Sequence, residues 1–141
     1  MTIPIFPNCS LHHHRVVEDE RGKLVPIEGA RDVPFEIARV YYLYEVVPGT
    51  ERGFHAHREL QQWAVCLAGA CTMTVDNGIQ RHDVRLDSPD KGLFIGPLIW
   101  HEMRDFASGT VLMVLASAPY DEADYIREHD RFLALARGSV R

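Results

Sequence analysis

Cysteine is scarce in this chain. Cys9, Cys66 and Cys71 are odd in number and form no CxxC pair, which removes a disulfide framework and a thiolate zinc site from consideration. Cys66 and Cys71 fall in apolar, strand-like runs and read as reduced, mostly buried thiols. A surplus of positive charge is also missing. Fifteen Lys and Arg against twenty Asp and Glu leave a net charge of -5, which argues against non-specific nucleic-acid binding. An anionic ligand held by a few local arginines stays open. No apolar stretch approaches the roughly 20 residues a membrane helix needs, and no signal-peptide pattern opens the chain. The expected compartment is therefore the cytoplasm. Helical periodicity is missing before residue 121, as are internal repeats, linkers and low-complexity tracts.

The 141 residues, 46% hydrophobic and 25% charged, suit one soluble domain spanning 1–141 that buries about two thirds of its unfolded surface. The strongest strand signal covers residues 37–47, rich in β-branched and aromatic residues and ended by Pro48-Gly49. Its even positions (Ala38, Val40, Tyr42, Tyr44, Val46) read as core. Arg39 and Tyr41 on the odd face can line a polar cavity, with simple packing of Tyr41 as the alternative. Further strands are expected over 63–67, 71–75, 79–86, 93–95, 98–103 and 110–117. Asp76-Asn77-Gly78 marks a hairpin turn. His12, His13 and His14 read as a solvated strand edge or loop, because adjacent side chains cannot all face one ion. Only the end looks helical: Asp121 is expected to cap a segment that places Tyr125, Ile126, His129, Phe132, Leu133 and Ala136 on one face. There His129 reads as a half-buried face residue.

Against this all-β background stands Arg52-Gly53-Phe54-His55-Ala56-His57. Strand alternation sends the imidazoles of His55 and His57 to the same face, where they can ligate a metal or move protons. Many short strands with one terminal helix imply a sandwich or barrel with a ligand pocket in its mouth. His55 and His57, then Gln61 and Gly69, and later Gly96-Pro97 leading to His101, resemble the two motifs of the cupin superfamily. That resemblance implies an all-β cupin jelly-roll barrel with a short C-terminal helix. A metal-binding cupin supplies a glutamate where this chain has the neutral Gln61, which weakens a hard divalent site. His55, His57 and His101 can still hold iron or zinc, but proton transfer by imidazole needs less.

A closer resemblance rests on Arg39-Val40-Tyr41-Tyr42, the RGFHAH string, Leu86-Asp87-Ser88-Pro89, Trp100-His101-Glu102-Met103, Val114-Leu115-Ala116-Ser117 and Tyr120-Asp121-Glu122-Ala123-Asp124-Tyr125-Ile126-Arg127. Together these are similar to the dTDP-sugar 3,4-ketoisomerases, over about residues 21–131. The resemblance implies cofactor-independent tautomerisation of dTDP-4-keto-6-deoxyglucose through an enediol(ate), on the way to a 3-amino-3,6-dideoxyhexose. By that resemblance His55 shuttles the proton, while His57 and Tyr41 act on the carbonyl and hydroxyl oxygens. Arg39 and Arg52 partner the pyrophosphate, and Gly53, Gln61, Trp100 and His101 belong to the substrate site. Trp100 as core packing, and Glu102 facing solvent, are the competing readings. No metal site is expected, and no partner other than the sugar nucleotide and a second subunit in a homodimer with exchanged N-terminal strands. The rivals are a cupin 3,5-epimerase, and a metal-binding cupin or small-molecule sensor.

Overall fold

The computed structural model describes residues 1–138. The last three residues of the expected 1–141 unit lie outside the described residues. In chain order the strands are β1 (Thr2–Phe6), β2 (Cys9–His13), β3 (Val17–Asp19), β4 (Gly22–Leu24), β5 (Arg39–Leu43), β6 (Arg52–His57), β7 (Gln62–Ala68), β8 (Cys71–Asp76), β9 (Arg81–Leu86), β10 (Lys91–Ile95), β11 (Trp100–Arg104), β12 (Val111–Ala116) and β13 (Tyr125–Ile126). The helix α1 spans His129–Ala136. Two antiparallel sheets face each other, ordered β1-β2-β10-β7-β12-β5 and β13-β6-β11-β8-β9, with β3-β4 as a separate hairpin. This is the double-sheet jelly roll that the motifs imply.

The alternation of each strand explains where the core stops and the site begins. The inner row of β5 reads Arg39, Tyr41, Leu43; that of β7 reads Gln62, Ala64, Cys66; that of β11 reads His101, Met103. Each row turns from polar to apolar, so the apolar ends pack with Leu93, Leu112, Met73, Val75 and Leu86 into one inter-sheet core. The polar ends are left at one end of the barrel. Outside the six-stranded sheet, Val33 and Phe35 cover Trp63, Val65 and Leu115. Outside the five-stranded sheet, Phe132 of α1 covers Trp100, Ala56 and Ile126. Full burial of a phenylalanine stabilises by about 2–3 kcal/mol, enough to hold a two-turn helix that propensity alone would not.

Several expectations are corrected. On β5 it is the even side chains that face outward, with Val40 and Tyr42 53% and 62% exposed, and Tyr44 just past the strand is 61% exposed. The odd, cavity-facing row is therefore the buried one, and the strand ends at Leu43 because Glu45 takes a positive φ of 52°. Residues 121–136 do not form one helix. Asp121 caps a 3-10 turn over Glu122–Asp124 through a bond from Ala123 N–H, and the chain then extends as β13 before α1 starts. Tyr125 and Ile126 gain more by pairing with His57 and Ala56 of β6 than by continuing a helix. The Asn77-Gly78 connection is a four-residue loop, closed by Asn77 N–H on the Gln80 carbonyl at 3.2 Å. Finally, His12 and His14 are half-buried against Trp63 rather than solvated, with Trp63 Nε1 donating to His14 Nε2 at 2.9 Å.

Candidate active site

The barrel mouth is built by β5, β6, β7, β11 and the 118–127 segment. Strand β6 enters it irregularly. Gly53 and Phe54 have φ values of 87° and 59°, and the pairing with β11 slips so that His101 faces His55 while Glu102 faces Gly53. This is a bulge: Phe54 is the extra residue, pushed outward, and His55 and His57 are both turned inward. The His55 ring centroid lies 5.1 Å from that of His57 and 4.6 Å from that of His101. One nitrogen from each of the three rings lies within 4.8 Å of the others.

Burial decides the charge state of this cluster. His101 is 1% and His57 3% exposed. Removal from water, reinforced by the neighbouring imidazoles, pushes His101 well below the usual histidine range. Burial and His55 likewise outweigh the pull of Asp124 and hold His57 at about 4, and burial lowers His55. At neutral pH the site thus presents neutral imidazoles, each able to accept a proton. His101 donates from Nδ1 to the Ile99 carbonyl at 3.2 Å. His57 Nδ1 faces Asp124 Oδ2 at 3.1 Å. His57 Nε2 and His55 Nδ1 are buried without a partner.

Around the histidines, the Tyr41 hydroxyl accepts a bond from Gln62 Nε2 at 2.8 Å. Its own proton is left to face the cavity, and burial pushes its pKa up to about 12. Tyr125 packs on both rings of the pair, 5.0 Å from His55 and 4.3 Å from His57. Two clefts open from this centre. One of about 200 Å³ is lined by Arg39, Tyr41, Arg52, Gly53, His55 and Tyr125, with Leu43 and Met103 at its apolar floor. The other, about 240 Å³, runs past His57, Ser117, Asp121 and Asp124. Arg39 and Tyr125 line both. The Arg39 guanidinium lies 5.3 Å from the Tyr41 ring and 5.8 Å from the Tyr120 ring, and its Nε is buried and unpaired.

The structure therefore brings Arg39, Tyr41, Arg52, Gly53, His55, His57 and His101 together. It does not bring Gln61 or Trp100. Gln61 precedes β7 and is tied by its backbone to Ser117; the inward amide is its neighbour Gln62, 2% exposed. Trp100 alternates with His101 and so faces the other side of the sheet, where Nε1 donates to Glu102 Oε2 at 2.8 Å beneath Phe132. Glu102 shares that outer face but is buried, held by Arg81 and Arg104. Sequence reasoning missed Gln62, Asp124 and Tyr125. Asp124 and Tyr125 were hidden by the single-helix reading of 121–136, although both stand in the Tyr120–Arg127 string that carries the resemblance. Three imidazoles this close could share a divalent ion, but the position where a metal-binding cupin has a glutamate is the neutral Gln61, which stays out of the site, and the inward amide of Gln62 is committed to Tyr41. The donor set is poor for a hard cation.

An antiparallel jelly roll with neutral histidines, a buried tyrosine and two arginines around a split cleft defines a cupin-type barrel with acid–base machinery in its mouth. Comparison with known proteins narrows this. Residues 7–137 match the family model described as WxcM-like, C-terminal (FdtA), and the chain belongs to that family. It is 52% identical over 114 residues, 81% of this chain and 82% of the relative, to the TDP-4-oxo-6-deoxy-alpha-D-glucose-3,4-oxoisomerase of Aneurinibacillus thermoaerophilus. Among solved structures it resembles a His-to-Asn variant of the 3,4-ketoisomerase QdtA from Thermoanaerobacterium thermosaccharolyticum, crystallised with TDP-4-keto-6-deoxyglucose. That likeness has a TM-score of 0.92 at 41% identity and covers 95% of this chain and 97% of that one. It also resembles the TDP-quinovose 3,4-ketoisomerase WlaRB from Campylobacter jejuni, with a TM-score of 0.88 at 42% identity, covering 91% and 98%. Among the described residues no helix is long and apolar enough to cross a membrane.

Proposed function

We infer that this chain is a sugar-nucleotide 3,4-ketoisomerase that converts dTDP-4-keto-6-deoxyglucose to its 3-keto isomer. The observation that carries the reading is the pair of buried, unpartnered imidazole nitrogens, His55 Nδ1 and His57 Nε2, beside the proton-bearing hydroxyl of Tyr41. A base at this position removes the C3 proton, made acidic by the adjacent C4 carbonyl, and the resulting enediolate is reprotonated at C4. His55 shuttles this proton. Tyr41 donates a hydrogen bond to the developing oxyanion, its raised pKa keeping it protonated throughout. His101 fixes the inner wall behind His55. Arg39 and Arg52 present forked donors to the diphosphate from the smaller cleft. None of these steps requires a cofactor.

The 3-keto product supplies a 3-amino-3,6-dideoxyhexose pathway in the cytoplasm, and the working unit is a homodimer that exchanges N-terminal strands. Strand β1 lies at a sheet edge, attached by pairing to β2, and the exposed Val40 and Tyr42 of the opposite edge strand, with Tyr44 just beyond it, offer an apolar surface to cover. Light scattering tests the dimer: twice the 16.1 kDa chain mass is expected, and the single mass would refute it.

Proton NMR with dTDP-4-keto-6-deoxyglucose in D2O and excess chelator tests the activity. A 3-keto sugar deuterated at C4 is expected. Deuterium at C3 and C5 without movement of the ketone would instead mean a 3,5-epimerase. Turnover only after metal is restored would move His55, His57 and His101 to a metal site.

A further inference from the structure

His57 and Asp124 are 67 positions apart and meet at the barrel mouth, His57 Nδ1 lying 3.1 Å from Asp124 Oδ2. The same carboxylate accepts Glu59 N–H through Oδ1 at 2.9 Å and Leu60 N–H through Oδ2 at 3.2 Å. The Asp124 carbonyl accepts Arg58 N–H at 3.0 Å. The corner that follows β6 is thus sewn to the 3-10 turn by one residue. With side-chain exposures of 3% and 16%, neither His57 nor Asp124 is free to swing out. A carboxylate offers only lone pairs, so the proton of His57 sits on Nδ1 and Nε2 is bare. That bare nitrogen is buried without a partner, on a ring whose centroid lies 4.3 Å from that of Tyr125 and 5.1 Å from that of His55. A buried acceptor left open in the free protein is an acceptor kept for a ligand's proton.

We propose that Asp124 is a positioning residue for the isomerisation, holding His57 in the tautomer whose bare Nε2 carries a proton between the two sugar oxygens. The proposal rests on the ketoisomerase reading. That reaction moves two protons: C3–H and O3–H are lost, C4–H and O4–H are gained. His55 takes the carbon proton, leaving an enediolate with its charge on O4. His57 Nε2 then takes the O3 proton and delivers it to O4, so the charge moves to O3. His55 returns its proton to C4 as the C3 carbonyl forms. Between its two transfers His57 is an imidazolium, and the Asp124 carboxylate beside Nδ1 stabilises it without taking its proton. Atoms and charge balance with no outside reactant.

The test is Asp124→Asn. The side chain keeps its shape and its acceptor for Glu59, but its NH2 replaces the oxygen shared by Leu60 N–H and His57 Nδ1, so the Leu60 bond is given up and His57 Nδ1 becomes the acceptor. The hydrogen moves to Nε2 and blocks the relay. The tautomer of His57 is read from imidazole 15N shifts without substrate, and kcat and KM from ketone migration. A wild-type Nδ1–H tautomer that becomes Nε2–H in the variant is expected, with kcat lowered at least a hundredfold and KM within threefold. An Nε2–H tautomer in the wild-type protein would overturn the proposal. So would a folded variant with kcat within threefold, or a loss of kcat with Nδ1–H retained, which assigns Asp124 a structural role only. If the variant does not fold, the wild-type tautomer alone decides. If the wild-type protein moves no ketone, the ketoisomerase reading fails, whereas the substrate-free tautomer tests the Asp124–His57 contact independently of that reading.

Discussion

Gly53→Ala tests whether the bulge that turns His55 and His57 inward depends on one missing side chain. Gly53 has a φ of 87°, and a Cβ there would sit 2.9 Å from the His101 carbonyl oxygen and 3.3 Å from Glu102 Cα. Both contacts are backbone of the paired strand, so relief requires β6 and β11 to separate. The left-handed conformation costs alanine about 1 kcal/mol, and forcing apart a packed contact adds about 1–3 kcal/mol. A total of roughly 2–4 kcal/mol lowers the Tm of a chain this size by about 10 °C. Gly49→Ala is the control, because Gly49 has nearly the same φ, 82°, with nothing within 4 Å of its Cβ. It incurs only the conformational cost, about 1 kcal/mol. Scanning calorimetry of both variants isolates the contact. Because His101 is the register partner of His55, Gly53→Ala is also expected to lower kcat about tenfold, while Gly49→Ala leaves it unchanged. Equal Tm losses in the two variants would refute the reasoning.

Acid is expected to destabilise the fold through the buried imidazoles. His57 titrates at about 4 when folded and near 6.5 when unfolded. Its contribution is therefore complete above pH 6.5 and is lost as pH falls toward 4, because the unfolded chain binds the proton first. The loss is on the order of 3 kcal/mol, and urea midpoints that stay flat between pH 6.5 and 4.5 would contradict it. Tyr41→Phe removes the proton aimed at the cavity and strands the Gln62 amide. A drop in kcat of roughly 100- to 1000-fold with KM within threefold is expected, together with about 1–3 kcal/mol of lost stability. Trp100→Phe is expected to leave KM within twofold, since Trp100 lies on the far face of β11. It costs about 1–2 kcal/mol by removing the bond to Glu102, and a large rise in KM would return Trp100 to the pocket.

Local rules carried much of this molecule. Alternation placed His55 and His57 on one face and Arg39 with Tyr41 on another, since a strand has only two sides and each residue's side follows from its neighbour's. Turn residues such as Asp87-Ser88-Pro89 and Gly96-Pro97 located the strand ends at Leu86 and Ile95, whereas Pro48-Gly49 lies beyond the true end of β5. What local rules could not supply was which side faces inward. The even row of β5 looked like core by hydrophobicity alone, yet Val40 and Tyr42 face out, because the inner row meets the polar ends of β7 and β11 across the barrel. The same non-local cause separates Trp100 from His101 and exchanges Gln61 for Gln62: register is set by partner strands far away in the chain. Residues 121–127 show this most clearly. Their side chains fit a helical face, but pairing Tyr125 with His57 outweighs local propensity, and only that pairing brings Asp124 to the imidazole. The residue types, and the chemistry they permit, were thus determined by the sequence alone. Their convergence, their neutral charge state and the fixed tautomer of His57 come from burial and long-range pairing, which exist only once the two sheets close.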